Sequence, residues 1–594
     1  MQDFLKTAKQ KILKYDVISF DIFDTLLLRP FAEPIDLFLY IEMEHRISGF
    51  AQKRVLAENR AREISLEQDI TLDEIYACMP SSFKIYQEIE VATEKRLLVA
   101  NVEMLELYNF AKENHKKVII TSDMYLPLDT LKNILDSKGF GGYCGFYVSN
   151  DVRLTKHSKD LFKHVLEQER ISANQMLHIG DNAHADSLMA KDLGIQALLR
   201  EKVLEQFKDR FISLRAFKPT SLPQSFILGT LSIFYKNYIP YQKDWGYWHS
   251  LGAIQAGCTI IAYCQFIYKT LRTKKVDTLV FIARDGYLIQ KIFNLLYPNE
   301  YQSVYIYAPR ILRKAVFLDI TEEESLEILS ILEDSKTIKQ YQITNNQEAY
   351  AYLVSHVERC YNRAKKVLLE YRDYLLKQNL GDNIIIVDTI TNEYSSQKLI
   401  EKALSREVFG IYFTLYRISS HQHTSFLPFK DSKEVLFDNW EYMEFLMTSE
   451  EPPILTLKDN LPIYQNNVSP YEKTRSEIYA SVIEGALAYA SYFKESLIPI
   501  DVYSIVEWTN FFINHPSPED REHFKEIKIC RDSAHKNFVG LFHKRIALSV
   551  FLKIEPYKAY QFLKSAHRTN KQEILFKLLS LSRTIYKKFK RTSQ

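Results

Sequence analysis

The sequence predicts an α/β protein whose first domain is a doubly wound, Rossmann-like parallel sheet. Three apolar, β-branched runs that end in polar residues support this prediction; they lie at residues 17–29, 117–125 and 177–186. Open sheets of this kind bind ligands just outside the carboxyl ends of their strands. We therefore expect functional side chains where these runs end.

The first run, VISFDIFDTLLLR, ends its apolar part on Asp21, and Thr25 follows within four residues. A carboxylate at the tip of a parallel strand is a candidate nucleophile. The alternative is a buried strand that continues into an Asp-capped turn. The other runs bear on the choice between these two interpretations.

The second run, KVIITSDMY, stops on the hydroxyl pair Thr121 and Ser122, with Asp123 directly after it. A hydroxyl at a strand tip can donate a hydrogen bond to a phosphate oxygen without adding charge. Lys156, in RLTKHSKDLF, lies just ahead of a helical pattern. A single ammonium there can neutralise both a phosphate and the carboxylate of the nucleophile. These residues indicate a phosphate site.

The third run, LHIGDNAHAD, contains Gly180 and then two carboxylates five residues apart, Asp181 and Asp186. Mg²⁺ usually takes one or two protein carboxylates and keeps its other positions for water and phosphate. We therefore predict Mg²⁺ as the cofactor and a small phosphorylated compound as the substrate.

In this order and spacing, the four segments resemble the haloacid dehalogenase-like (HAD) hydrolase superfamily over residues 10–215. Its members carry a nucleophilic Asp, a Ser or Thr, a Lys and an acidic GDxxxxD motif. The resemblance implies that Asp21 is the nucleophile and an Mg²⁺ ligand, that Asp181 is the motif IV metal ligand with Asp186 as its supporting acid, and that the backbone carbonyl of Phe23 is a further metal ligand. It also implies that Ser122 is the motif II hydroxyl, a role that Thr121 can share, and that Lys156 is the motif III lysine.

One departure from the superfamily pattern concerns the chemistry. Phosphatases of the superfamily usually carry a second Asp two residues after the nucleophile as general acid and base, and here that position is Phe23. Asp24 is on the opposite face of an extended chain, and we expect it to bond the turn backbone. A general acid raises the rate of such a reaction by roughly 10²- to 10⁴-fold, so we expect slow catalysis in its absence. The aromatic residue also suggests dehalogenation, but the intact GDNAHAD segment favours phosphoryl transfer.

Residues 31–116 separate the first two strands and are predicted to form several amphipathic helices. In the superfamily, an insertion at this point is a mobile cap that closes over the substrate. The alternative is a fixed helical layer packed on the sheet.

Composition limits the classes of function. The 594 residues are 46% hydrophobic and 25% charged, which is ordinary for globular domains and allows three or four of them. A net charge of +3 gives no case for nucleic-acid binding. The six cysteines include no CxxC pair, which favours buried thiols in a reducing cytosol. With no apolar segment of signal-peptide length at the N-terminus, we expect a cytoplasmic protein. Its oligomeric state is not indicated.

Two segments raise the question of a membrane. Residues 251–268 are uncharged, but they contain Gln255 and Gln265 and are short for a span, so we expect a buried helix. The tail from Lys564 onward is basic and amphipathic. Such a tail can make peripheral contact with anionic lipid, although more often it is a packed helix with a solvated face.

The second half predicts another Rossmann-like α/β domain at residues 224–465, after the HAD-like domain at 1–216 and before a helical region at 466–594. It repeats the pattern of an apolar strand ending on an acid at residues 277–285 and again at residues 383–388.

Several polar residues in this half are candidate site residues. Arg284 and Asp285 precede Gly286, where the backbone turns into a helix. Arg310 and Arg313 follow another apolar run, and we expect exposed pairs without functional consequence rather than an anion site.

Two further resemblances concern this half. The Thr/Ser-rich turn after the second strand resembles the diphosphate-binding loop of phosphoribosyltransferases, but with one acid and without the loop's small glycines; its residues are Asp388, Thr389, Thr391, Ser395 and Ser396. The whole chain resembles large bacterial proteins of surface-polysaccharide biosynthesis, which join a HAD domain with an FDIFDTL opening to an RDG-containing C-terminal region.

The leading hypothesis is an Mg²⁺-dependent phosphohydrolase that acts through an aspartyl-phosphate on a small phosphorylated metabolite, such as a sugar phosphate. One alternative is a catalytically weak module in which Phe23 marks lost hydrolysis and the second half binds a glycan precursor or a partner protein. Another makes the second half a transferase that depends on Asp388 and the first half its product-clearing phosphatase.

Overall fold

A computed structural model of the chain describes residues 2–391, 393–429, 440–465, 468–530 and 538–541. The chain divides into two compact units, Met1–Trp245 and Gly246–Gln594. The domain boundary predicted near residues 216–224 differs from this division, because the helix Leu222–Asn237 packs against Val203–Arg210 in the first unit. The basic tail from Lys564 lies outside the described residues.

The first unit is built on a five-stranded sheet with the order β3-β2-β1-β4-β5. All neighbouring strands are parallel; they are β1 Val17–Phe20, β2 Lys117–Ser122, β3 Gly145–Val148, β4 Met176–Gly180 and β5 Gln196–Leu199. The strand order reverses at β1, so the carboxyl ends of β1, β2 and β4 border the crevice in which such sheets bind ligands. This topology confirms the predicted doubly wound α/β fold.

Helices surround this sheet. In chain order, the helices of the first unit are Gln2–Ile12, Asp36–His45, Phe50–Ile64, Leu72–Ala77, Tyr86–Leu97, Val102–Glu113, Leu128–Ser137, Ser149–Val152, Asp160–Glu169, Ala183–Leu188 (a π-helical turn), Met189–Asp192, Val203–Arg210 and Leu222–Asn237, with 3₁₀ turns at Ser81–Phe83, Ala173–Gln175, Ile212–Leu214 and Ile239–Tyr241.

The helical insertion between β1 and β2 is shorter than the predicted 31–116. Leu27–Leu28 and Val99–Ala100 pair as a small antiparallel ribbon that carries the chain out of the sheet layer and back. The following helix, Val102–Glu113, packs on β2 and on the N-terminal helix, so it is the crossover helix of the sheet itself. The cap is therefore the set of four helices between the two strands of the ribbon.

A buried ion pair holds the cap helices together. Arg54 Nε and Nη2 donate to the two carboxylate oxygens of Glu90, at 2.8 and 2.9 Å. Arg54 also lies 4.9 Å from the ring centre of Tyr125, which follows β2, and the backbone N–H of Leu72 donates to the Tyr125 carbonyl at 3.0 Å. The cap thus docks on the loop that leaves the Ser122 strand.

The second unit contains another five-stranded parallel sheet, with the order β10-β9-β8-β6-β7. Its strands are β6 Thr278–Ile282, β7 Gln302–Ile306, β8 Ile384–Thr391, β9 Phe409–Leu415 and β10 His423–Leu427. In this flavodoxin-like order the reversal lies between the first and third strands, here β6 and β8. The prediction of a second doubly wound α/β domain is confirmed.

The remaining elements of the second unit are mostly helical. They are the helices Tyr247–Leu251, Gly252–Gly257 (a π-helical turn), Cys258–Leu271, Gly286–Leu296, Arg310–Phe317, Ser325–Leu332, Ser335–Gln340, Asn346–Ser355, Val357–Leu376, Ser395–Leu404, Trp440–Leu446, Pro470–Phe493, Val502–Asn514 and Pro518–His523, the 3₁₀ turns Glu322–Glu324 and Phe524–Glu526, and the antiparallel ribbons Ile454–Lys458 with Leu461–Tyr464 and Lys528–Cys530 with Phe538–Gly540.

The uncharged stretch at 251–268 lies in the core of the second unit. Tyr247–Leu271 is the one helical run in the described residues that is long and apolar enough to cross a membrane, and 89% of its most apolar window is buried. It packs against Pro470–Phe493, where a Cβ at Gly485 would overlap the backbone of His249. The region predicted as a separate helical segment from residue 466 is thus, as far as it is described, part of the second unit.

The cysteines agree in part with the prediction. The five cysteines whose side chains are described, Cys78, Cys144, Cys258, Cys264 and Cys360, are free thiols, but Cys144 is exposed and Cys78 is only half-buried.

Candidate active site

The four predicted motifs of the first unit converge on Asp21. This residue directly follows β1, and its backbone N–H donates to the Ile179 carbonyl of β4 at 2.9 Å. Its side chain is buried, with 6% exposure. The Ser122 hydroxyl, at the end of β2, donates to Asp21 Oδ1 at 2.8 Å. The carboxylate therefore points into the crevice between three strand ends, as a nucleophile must.

Lys156 joins two of the acidic motifs. Its Nζ lies 2.6 Å from Asp21 Oδ1 and 2.5 Å from Asp186 Oδ1. The loop that carries it is anchored by Asp123, whose two carboxylate oxygens accept from the Lys156 backbone N–H at 2.8 and 3.1 Å. Burial disfavours the ammonium, but these close carboxylates raise the pKa of Lys156 above its ordinary value. The two carboxylates therefore favour the charged form of Lys156.

Asp186 supports this lysine and is itself fully engaged. Its Oδ2 accepts from the Asn182 backbone N–H at 2.9 Å, and His178 Nε2 lies 3.1 Å from its Oδ1. Burial alone would favour the neutral acid, but Lys156 and His178 hold the pKa of Asp186 well below its usual range. A Cβ at Gly180 would collide with this carboxylate, which explains why glycine precedes Asp181.

His178 was not singled out in the sequence. Its Nδ1 lies 2.8 Å from Ser19 Oγ, which in turn donates to Thr121 Oγ1 at 3.0 Å. These buried side chains form a network behind the site. Thr121 belongs to this network because neighbouring strand residues point to opposite faces, so its contacts do not place it with Ser122 in the phosphate site. The presence of a polar histidine inside the apolar MLHIG strand is the sequence feature that could have indicated its role.

Asp181 is the least compensated acid of the site. Thr25 Oγ1 donates to its Oδ1 at 3.3 Å, and Lys202 Nζ is 3.9 Å from its Oδ2. Burial, together with the neighbouring Asp21 carboxylate, raises the pKa of Asp181 to about 8. Burial also raises the pKa of Asp21, against the opposing effect of Lys156. Asp21 is thus paired with Lys156, whereas Asp181 has only the more distant Lys202 as a cationic partner among the described residues.

These residues fit a magnesium ion. Oxygen atoms of Asp21, Asp181 and Asp186 all lie within 4.8 Å of one another. Carboxylate oxygens are the ligands that Mg²⁺ prefers, and a cation between Asp21 and Asp181 would supply the missing charge. Since Asp186 already binds Lys156 and the backbone, it serves better as a supporting acid than as a direct ligand.

Phe23 occupies the position at which the resemblance to the HAD superfamily implies a general acid. The Arg29 guanidinium carbon lies 4.1 Å from the centre of its ring, and Arg29 Nε donates to Glu94 Oε1 of the cap at 2.7 Å. The ring is thus covered by a paired cation. Asp24 does not compensate for Phe23, because its carboxylate binds Lys202 at 2.9 Å. That contact also corrects the expectation that Asp24 bonds the turn backbone; its own backbone has a left-handed φ of 56°.

We expect Phe23→Asp to raise the rate of phosphate-ester hydrolysis, because it restores a proton donor near the leaving oxygen. The gain should be at the lower end of the general-acid range, about 10²-fold, since Arg29 beside the new carboxyl would lower its pKa. The measurement is kcat with a phosphate-ester panel and Mg²⁺. Phe23→Asn is the matched control, and an equal gain in that variant would contradict the explanation by proton transfer.

The structure does not bring the four candidate site residues of the second unit to one site. Asp285, Asp388 and Ser395 line one cavity at the ends of β6 and β8. Arg284 instead binds Glu472 at 2.9 Å and the Glu451 carbonyl at 3.2 Å, so its charge is already matched.

No protein-family model and no curated protein sequence matches this chain. Several of the solved structures that resemble its N-terminal third are of HAD-family proteins. YfnB from Bacillus subtilis, assigned to the HAD hydrolases and bound to magnesium, is 17% identical over 31% of this chain and 88% of its own, with a TM-score of 0.25.

A HAD-family enzyme from Bacteroides thetaiotaomicron, in complex with magnesium and inorganic phosphate, is 17% identical over 32% of this chain and 95% of its own, with a TM-score of 0.23. A predicted phosphoglycolate phosphatase from Haemophilus somnus is 12% identical over 31% and 85% of the two chains, with a TM-score of 0.22. Likeness at this level carries no argument about function.

Proposed function

We propose that the first unit is an Mg²⁺-dependent phosphohydrolase that acts through an aspartyl-phosphate on a small phosphorylated metabolite. The observation that carries this proposal is the buried carboxylate of Asp21, held at one oxygen by both Ser122 and Lys156. That arrangement leaves its second oxygen available for attack on phosphorus and places a hydroxyl and an ammonium beside it, where phosphate oxygens need donors.

The reaction follows from the chain's own groups. Asp21 attacks phosphorus, the bond to the leaving oxygen breaks, and a covalent aspartyl-phosphate forms; water then attacks this phosphorus and releases inorganic phosphate and the Asp21 carboxylate. Lys156 and Ser122 hold phosphate oxygens through both steps, and Asp186 keeps Lys156 in place. Bound at Asp21, Asp181 and the Phe23 carbonyl, Mg²⁺ would neutralise charge on the phosphoryl group.

Phe23 sets the expected rate. Because Phe23 transfers no proton and Asp24 is engaged by Lys202, the leaving oxygen must take its proton from water. Substrates whose leaving groups depart without protonation should therefore be hydrolysed faster than simple alkyl phosphates. We propose that the substrate is a sugar phosphate of surface-polysaccharide biosynthesis and that the reaction takes place in the cytoplasm.

A second candidate function is a catalytically weak module that binds a phosphorylated ligand. The contact between Arg29 and Phe23 favours it, because the general-acid position is filled by a stable stack rather than left open. Phosphate binding with Mg²⁺ but without turnover, and no gain from Phe23→Asp, would support this candidate over the hydrolase.

Removing the metal is expected to abolish hydrolysis and to destabilise the first unit. Mg²⁺ relieves repulsion between Asp21 and Asp181, and an ion present at 100 times its Kd stabilises the folded state by about 2.7 kcal/mol. A phosphate-ester screen and thermal unfolding, each with Mg²⁺ and with EDTA, measure both effects.

Asp181→Asn provides the discriminating variant for this metal. Measured at a pH above 8, where the Asp181 carboxyl is ionised, it should raise Tm in EDTA, because it removes an incompletely compensated charge, and it should abolish the response of Tm to Mg²⁺. The exposed Asp129→Asn variant is the matched control and should respond to Mg²⁺ as the wild type does. Hydrolysis that persists in EDTA would contradict the proposed metal dependence.

A further inference from the structure

The second unit has a cavity of about 920 Å³ at the carboxyl ends of β6 and β8. These strands flank the point where the strand order of its sheet reverses. Open α/β sheets bind ligands at such a point. The volume is that of a site for a small molecule, and every residue that lines it belongs to the second unit.

One side of the cavity is cationic. Arg310 and Arg313 lie one turn apart on the helix Arg310–Phe317, and Lys398 lies on the helix Ser395–Leu404. Arg310 and Lys398 are exposed, and within the described part of the chain neither side chain has a hydrogen bond or an ion pair. These are not the matched surface pairs that the sequence suggested.

Arg313 is the strongest pointer to a ligand. Its Nη1 donates to Ser396, but its Nε is buried and has no hydrogen-bond partner. Burial and the nearby Arg310 lower the pKa of Arg313, against the opposing effect of the Asp388 carboxyl. A buried, unpartnered guanidinium N–H is costly. An oxyanion would satisfy it and would also match the two neighbouring cations, and phosphate fits the fork geometry of arginine.

Two acids also line the cavity: Asp388, which lies near Arg313 and is hydrogen-bonded by Ser396, and Asp285, which is hydrogen-bonded by Thr448. Thr389 donates through its backbone N–H to Asp388 Oδ1 and through its hydroxyl to Asp285 Oδ2, both at 2.9 Å. Within the described residues neither carboxyl forms an ion pair, and neither belongs to a cluster close enough to hold a metal ion. Their remaining oxygens can accept hydrogen bonds from ligand hydroxyls.

We propose that this cavity binds the phosphate ester of a polyhydroxylated compound, with the phosphate on Arg310, Arg313 and Lys398 and the hydroxyls on Asp285 and Asp388. Arg310 and Lys398, together with the Nε of Arg313 that has no hydrogen bond in the described residues, define the phosphate end. The two carboxyls joined by Thr389 define the hydroxyl end, which an inorganic anion alone would leave unfilled. This site is separate from the proposed hydrolase centre and does not depend on it.

The test is calorimetric titration of the full-length protein in EDTA with inorganic phosphate and with glucose 6-phosphate. EDTA removes the Mg²⁺ on which the proposed site of the first unit depends, and Ser122→Ala reports any phosphate that still binds there. Wild type should bind both probes, with glucose 6-phosphate the tighter. The double variant Arg310→Gln/Lys398→Gln changes two exposed side chains, and it should weaken phosphate binding at least about tenfold. Arg313→Gln should do the same.

Three comparisons make the result decisive. Lys366→Gln, an exposed lysine on Val357–Leu376, is the matched control and should bind like the wild type. Asp388→Asn should remove the preference for glucose 6-phosphate; equal binding of both probes by the wild type would overturn the hydroxyl assignment. Loss of binding in Ser122→Ala but not in the arginine and lysine variants would place the phosphate in the first unit and overturn the proposal.

Discussion

Replacing Asp21 with Asn is expected to lower kcat for phosphate-ester hydrolysis by at least about 10³-fold. An amide is a poor nucleophile, so the aspartyl-phosphate cannot form at a useful rate. The substitution keeps the shape of the side chain, and the Ser122 hydroxyl can still donate to the amide oxygen. The loss should therefore be in the chemical step rather than in folding.

Two measurements separate these effects. Hydrolysis of the ester panel with Mg²⁺ gives kcat, and intact-mass analysis of the protein after brief exposure to substrate detects the phosphorylated form. The covalent species should occur in the wild type and be absent from Asp21→Asn. Asp129→Asn makes the same chemical change at an exposed position and should keep full activity. Equal kcat in the wild type and Asp21→Asn would end the proposed mechanism.

Replacing Lys156 with Met should have the largest effect on stability. The side chain is 3% exposed and bonds to Asp21 and Asp186 at once. Without the ammonium, two buried carboxylates lose their partner, and breaking a buried pair in this way costs about 3–5 kcal/mol. Phosphate binding and hydrolysis should be lost as well, because methionine cannot donate a hydrogen bond or supply a positive charge to the phosphate oxygens.

Hydrogen exchange at the amides of β1 and β4 reports the free energy of opening for the first unit alone. We expect the loss to be largest in EDTA and to shrink when Mg²⁺ is added, since the ion compensates part of the exposed negative charge. Lys163→Met is the control. The Lys163 side chain is 55% exposed and pairs with Asp160 at 2.9 Å, so its removal should lower the free energy of opening by about 1 kcal/mol or less. A loss of that size in Lys156→Met would show that the acids are compensated in another way.

The candidate site was largely predictable because its chemistry lies at strand ends. Asp21, Ser122, Lys156 and Asp186 are linked directly in the structure, and each was identified from an apolar run that stops on a polar residue or from the resemblance to the HAD superfamily. His178 escaped this reasoning, because its position inside an apolar strand is equally typical of a packed core residue. Lys202 escaped it as well, because an exposed lysine after β5 carries no local pattern.

The cap and the second unit show where sequence reasoning ended. The cap boundary depends on the pairing of Leu27–Leu28 with Val99–Ala100, two residues on each side, which is too short to give a periodic pattern. The sequence predicts no function for Arg310 and Arg313, because the residues that line the cavity with them come from β8 and the helix after it, far along the chain. Only the tertiary structure brings these elements to one cavity.

Hydrophobic periodicity and the polar residues that end each apolar run are local properties of the chain, so they are enough to predict which residues stand at the ends of buried strands. Which of these residues meet depends on how the strands and helices pack. Packing places Asp181 beside Asp21 and His178 against Asp186. It also places Arg29 over the Phe23 ring and Arg313 near the turn after β8. Strand order, side-chain direction and burial set these contacts, and all three depend on long-range packing that no single segment encodes.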